Sequence, residues 1–117
     1  MNIAGLEKAV KLDHRIALYV PGTNGVSEAA DNAETVAAVA GMLSELFGGA
    51  SAQAVRGYWK SAAGDLVEEK TVVVYANCTG EQLKKSGAAI VAAAEEIKRD
   101  LRQEAVSVEI DGTLYLI

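Results

Sequence analysis

Strand and helix signals in the order β-α-β-β-α-β, followed by one more strand, predict a single α+β domain. Three observations carry this. His14 to Val20 alternates Ile16, Leu18 and Val20 with Arg15, Ala17 and Tyr19, the period of two expected of a half-buried strand. Two helix starts of the capping-box type, Asp31 with Glu34 and Thr79 with Gln82, each lead into apolar residues spaced by three and four. Gly64-Asp65 and Asp111-Gly112 each separate two extended runs, as turns between paired strands do.

Residues 1–13 form an N-terminal arm or a short helix, with Ile3, Leu6 and Val10 set among Lys8 and Lys11, and 14–117 form the domain. Pro21-Gly22 ends the first strand, and Thr23 to Glu28 reads as an ordinary loop because it lacks the Gly-Lys-Ser/Thr and Gly-x-Gly-x-x-Gly patterns of phosphate-binding turns. Asp31, or Asn32 in its place, caps a helix whose stripe is Val36, Val39, Ala40, Leu43, Leu46 and Phe47, and Gly48 supplies the left-handed residue that stops it. A hairpin follows, its first strand closing on Trp59 and its second running over the β-branched stretch Thr71 to Ala76. The helix from Thr79 places Leu83, Gly87, Ile90, Ala94, Ile97 and Leu101 on one face. Val106, Val108 and Ile110, then Leu114 and Leu116 beyond the Asp-Gly turn, make a terminal hairpin. This is the split βαβ, ferredoxin-like plan: an antiparallel sheet with its first and third strands in the middle, two helices on one face, and an extra C-terminal hairpin strand.

Composition narrows the partners. The 117-residue chain carries a formal charge of −5, uneven between its halves: five Lys/Arg against six Asp/Glu in residues 1–60, but six against ten in 61–117. An acidic chain is poorly suited to a phosphate backbone, so direct nucleic-acid binding is disfavoured and a basic protein surface is the natural complement. One cysteine, Cys78, allows no internal disulfide, and neither a secretion signal nor an 18-residue apolar run is present, so a reducing cytoplasm is expected and a membrane is not. No cofactor or metal motif stands out.

Each reactive residue has a plain reading that outweighs the chemical one. Asp13-His14-Arg15 holds the sole imidazole, without a second His, a nearby Cys or a serine partner, which disfavours both a metal site and a triad. Asp65, Glu68 and Glu69 fit a solvated turn paired with Lys60 or Lys70 better than an acid/base pair or a divalent-cation site. Trp59 reads as a core anchor, Tyr58 and Arg56 as displayed for a partner or dimer face, and Cys78 as structural although it precedes a helix start. Tyr19 and Tyr75, on the two middle strands, should both turn away from the helices, with Val73 beside them and Tyr115 joining from the last strand. Such a face resembles the stacking platform of RNA-recognition motifs in geometry only, since the basic surroundings are missing. An apolar face of this kind more readily seeks a second copy of the chain.

Leu46-Phe47-Gly48-Gly49-Ala50-Ser51, Gly57-x-Trp59 and Gly64-x-Leu66-Val67-x-Glu69 ahead of a valine-rich strand resemble a group of small uncharacterised proteins of bacteria, phages and mobile elements. Those relatives show a Phe-Gly-Gly-Ala-Thr turn, a Gly-x-Trp strand end and a Gly-x-Leu-Val-x-Glu hairpin; Ser51 stands here where Thr is usual. The resemblance spans about residues 14–77 and implies a phage or mobile-element setting, with no activity to carry over.

The expectation that follows is a non-enzymatic, partner-binding protein, homodimeric through its open sheet face. Its acidic residues Glu81, Glu95, Glu96, Asp100 and Glu104 would engage a basic host protein. In the implied setting this becomes a counter-defence inhibitor of the anti-CRISPR type, covering the nucleic-acid groove of a host nuclease. The alternative is a small-ligand or monooxygenase-like dimeric enzyme with a pocket between sheet and helices lined by Trp59, Tyr58 and His14; a further one is RNA or single-stranded DNA on the sheet face.

Overall fold

The β-branched run Val72-Val73-Val74 and the alternating Ile16-Leu18-Val20 pair with each other at the centre of the sheet, and the rest of the fold is laid around them. In the computed structural model, which describes residues 2–25 and 28–117, the strands are β1 (His14–Pro21), β2 (Thr23–Asn24), β3 (Glu28–Ala29), β4 (Ser51–Lys60), β5 (Leu66–Cys78), β6 (Ser107–Ile110) and β7 (Thr113–Leu116). The helices are α1 (Ala33–Phe47) and α2 (Gly80–Asp100). The main sheet has the order β4-β5-β1-β6-β7 with every neighbouring pair antiparallel, so the ferredoxin-like α+β plan holds. No helix is long and apolar enough to cross a membrane among the described residues.

Ile16, Leu18 and Val20 of β1 and Val74, Ala76 and Cys78 of β5 face the helices, where they meet Val39, Leu43 and Phe47 of α1 and Ile90, Ala94 and Ile97 of α2. Burying one such aliphatic side chain stabilises the fold by roughly 1.5–3 kcal/mol. The helix ends follow the sequence closely. Thr79 accepts from the Gln82 amide at 3.2 Å while Gln82 accepts from the Thr79 amide at 2.9 Å, a complete capping box. Gly48, at φ 92°, donates to the Ser44 carbonyl and ends α1. At the start of α1 the two candidate caps divide the work: Asp31 accepts from the Ala33 amide, whereas Asn32 turns its amide back onto the Val20 and Pro21 carbonyls.

Three expectations need correction. The second strand of the long hairpin begins at Leu66, not Thr71, so β4 and β5 stay paired from Ser51↔Tyr75 out to Lys60↔Leu66. Thr23 to Glu28 is not wholly loop: Thr23 and Asn24 pair with Ala29 and Glu28, and the middle of that loop, 26–27, lies outside the described residues. The N-terminal arm itself holds one 3-10 turn, Leu6–Lys8, and each of residues 2–13 is exposed. Tyr115 does not join Tyr19. The two-residue turn Asp111-Gly112, with both φ positive (52° and 86°), sets Tyr115 opposite Val108 on the helix side of the sheet.

Candidate active site

Glu69 lines two depressions on the open face of the sheet. It stands on β5 opposite Gly57, with Trp59 two residues along β4 and Thr71 two along β5, all on the side away from the helices. Two adjoining depressions, of about 470 and 130 Å³, share Glu69, Gln103 and Ala105. The larger adds Trp59, Gly25 and Glu104; the smaller adds Tyr19, Thr71 and Ser107. Together they form a cleft with one aromatic wall, carboxylates on two sides and a hydroxyl-lined end.

The wall opposite Trp59 is held by one side chain. Gln103, in the turn after α2, brings its Nε2 within 2.9 Å of the Thr23 carbonyl, 3.1 Å of Gly25 and 3.0 Å of Leu101. Gly25 in turn donates its amide to Leu101, and Arg102, at φ 50°, donates to Asn24 Oδ1 at 2.8 Å. These bonds fix the turn after α2 onto β2 and Gly25 and close one side of the cleft.

Tyr19 lies at the inner end, its hydroxyl donating to Glu109 Oε1 at 3.3 Å. Burial, then the Glu109 charge, push its pKa up, so it remains a neutral phenol. Tyr75 shares the open face but belongs to another neighbourhood: the Arg15 guanidinium sits 3.8 Å over its ring, and the ring borders a depression of about 380 Å³ with Phe47, Gly48, Gly49 and Ser51. Val73, between the two rings, is only 8% exposed and so is not the displayed residue expected of a docking face.

Several anticipated groupings are absent. Trp59 is 37% exposed rather than a core anchor, because its register sets it on the face of the sheet that the helices leave open. Tyr58 and Arg56 are exposed, but on the opposite side of the hairpin from Trp59, so they do not share a face with Tyr19 and Tyr75 as expected; Arg56 lies 3.5 Å from Glu68, so the acidic hairpin pairs with this arginine rather than with a lysine. Trp59, Tyr58 and His14 therefore line no common pocket, and the space between sheet and helices is filled by the core. The acidic residues are also dispersed: Glu96 and Asp100 border a groove between the helices, and Glu104 borders the cleft.

The association the sequence did not reveal is at the far end of β1. His14 Nδ1 lies 2.7 Å from Asp111 Oδ2, and Asp111 Oδ1 accepts from the Arg15 amide at 2.8 Å. The hydrogen bond to Asp111 raises the His14 pKa, and the same bond lowers that of Asp111. Cys78, paired with His14 across the strands, is fully buried; burial and the nearby Asp111 and Asp13 charges push its thiol up, which suits a structural cysteine. No group of three or more metal-ligating side chains occurs among the described residues.

No family model matches the chain, and no curated protein does. Among solved structures it is similar to a phage SAM lyase in complex with S-methyl-5'-thioadenosine, with a TM-score of 0.65, 21% identity, and coverage of 89% of this chain and 88% of that one. The apo state of a phage SAM lyase gives a TM-score of 0.59, 21% identity, and coverage of 89% and 87%. At this identity the likeness establishes a shared fold. The expectation of a non-enzymatic inhibitor of the anti-CRISPR type conflicts with it, since both structures are of an enzyme, and part of the acidity that suggested a basic protein partner lies in a concave cleft.

Proposed function

We propose that this chain is a lyase acting on S-adenosylmethionine, working in the cytoplasm and binding its substrate in the Trp59–Glu69 cleft. The likeness over 89% of the chain to a lyase complexed with S-methyl-5'-thioadenosine carries the reading. The chemistry of the cleft supports it. S-adenosylmethionine presents a sulfonium and an ammonium, and Glu69 and Glu104 offer carboxylates to them while Trp59 offers an aromatic face to a cation or an adenine ring. Release of S-methyl-5'-thioadenosine means that the bond from sulfur to the aminobutyrate γ-carbon breaks and its electron pair stays on sulfur.

The sulfur product is then a neutral thioether, which an acidic wall holds less firmly than the cation it came from. A sulfonium is already a good leaving group, so orientation is the main task left to the protein. Two routes balance without water: the substrate carboxylate displaces sulfur and gives a lactone, or a cleft carboxylate takes a proton and gives an unsaturated amino acid. The test is direct. Purified protein incubated with S-adenosylmethionine should yield S-methyl-5'-thioadenosine by chromatography, and mass spectrometry of the second product identifies the route. Glu69→Gln should lower kcat/KM by about 100-fold, the loss of a charge-assisted contact to the substrate of roughly 3 kcal/mol. Turnover no higher than in buffer would sink the proposal.

A further inference from the structure

Gly57 is the one glycine inside a strand of the main sheet, and the fold gives no reason for it. Glycine weakens a strand, because it loses more backbone freedom on folding than other residues and has no side chain to pack. Where it persists, it marks a left-handed backbone, a bulge, or the close approach of another backbone or a ligand. The first three do not apply. The φ of Gly57 lies outside the left-handed region, and the β4–β5 ladder passes through it without a bulge: Arg56↔Lys70, Gly57↔Glu69 and Tyr58↔Glu68 are in unbroken register. No backbone crowds it either. A Cβ at this position would stand 3.8 Å from the Glu69 carbonyl oxygen and 3.8 Å from Thr71 Oγ1, which are ordinary contact distances.

What remains is a ligand. Gly57 faces the open side of the sheet, between Trp59 on its own strand and Glu69 and Thr71 across the ladder. Trp59 lines the larger depression, Thr71 the smaller, and Glu69 both. We infer that Gly57 is the floor on which the adenosine half of the substrate lies, bare so that the flat base reaches the strand backbone beside Trp59; the inference rests on the lyase reading. With the base over Gly57, the sulfonium faces Glu69, where the two depressions meet, and the aminobutyrate tail runs into the smaller one. The sizes agree: about 470 Å³ on the Trp59 side suits a nucleoside, and about 130 Å³ on the Thr71 side suits only the shorter tail. A side chain at position 57 would stand where the base lies while leaving the sheet intact.

Strand and ligand thus make opposite demands on this position, and Gly57→Val separates them. A β-branched residue suits the strand, so the variant should melt about 2–5 °C higher than the unaltered chain. Its KM for S-adenosylmethionine should rise roughly 10-fold or more, as for a group forced against an added side chain, and inhibition by S-methyl-5'-thioadenosine should weaken in parallel, because both carry the adenosine. Gly57→Ala, with one added carbon, should lie between the two in each measurement. A Gly57→Val chain that melts lower would put the role of the glycine in the fold. A KM within about twofold of the unaltered chain would put the base elsewhere, and a raised KM with unchanged inhibition would put the tail, not the adenosine, over position 57. Each of these overturns the inference and leaves the lyase reading standing, whereas no turnover by the unaltered protein removes both.

Discussion

His14 and Asp111 join residues 97 apart in sequence through a 2.7 Å contact that pins the terminal hairpin to the start of β1. The contact draws its strength from both partners being charged. The His14 pKa is raised, so its contribution is fully present below the unfolded value of 6.5 and is lost as pH rises through the folded one. The Asp111 pKa is lowered, so its contribution is present above 3.8 and is lost as pH falls through the folded value. The hairpin should be held best between about pH 4 and 6.5. Amide exchange at β7 measured across pH should show protection weakening above that window, and Asp111→Asn should flatten the profile; a flat profile in the unaltered chain would contradict the account.

Gly22 lies where the end of β1 passes the backbone of β5. A Cβ at that position would collide with the Lys70 carbonyl oxygen. Gly22→Ala should therefore destabilise the fold by about 3 kcal/mol, the upper range for overpacking against backbone. Urea denaturation reads this directly, and a loss below about 0.5 kcal/mol, as at an unremarkable surface site, would mean the strands can part there.

Thr79 and Gln82 cap α2 reciprocally. Thr79→Ala should lower stability by about 1 kcal/mol, and Gln82→Ala made on top of it should add little, because one box is lost either way. Thermal melting of the two single variants and the double variant settles whether the pair acts as a unit.

Gln103 supports the cleft wall by three backbone carbonyls. Gln103→Leu should raise KM for S-adenosylmethionine by roughly fivefold, the equivalent of about 1 kcal/mol, while kcat changes less. Equal falls in kcat and kcat/KM would instead put Gln103 in contact with the reacting atoms.

The elements with local causes were legible in the sequence. Thr79 with Gln82, Gly48 after Phe47, and the Asp111-Gly112 turn all act within a few residues, and each stands where its chemistry requires. Strand order followed from the alternation of strands and helices, and with it the outward turn of Tyr19 and Tyr75. What the sequence concealed depends on distance along the chain. Trp59 reads as a core residue until the long β4–β5 pairing sets it beside Glu69 on the face the helices leave open. Tyr115 falls on the helix side because of a register that only a two-residue turn imposes. The cleft needs Gln103 brought back onto Thr23 and Gly25, and nothing in either segment announces the other. His14 with Asp111 was hidden in the same way, although an aspartate opening a tight turn was the one available hint.

The outer margin of β4 has a consequence for handling the protein. Ten residues, Ser51 to Lys60, are paired on one side only, a rim long enough to template fibrillar stacking of neighbouring molecules. Arg56 and Lys60 interrupt that rim with like charge, and such gatekeepers keep concentrated solutions dispersed. Replacing both with neutral residues should raise the tendency of the protein to aggregate.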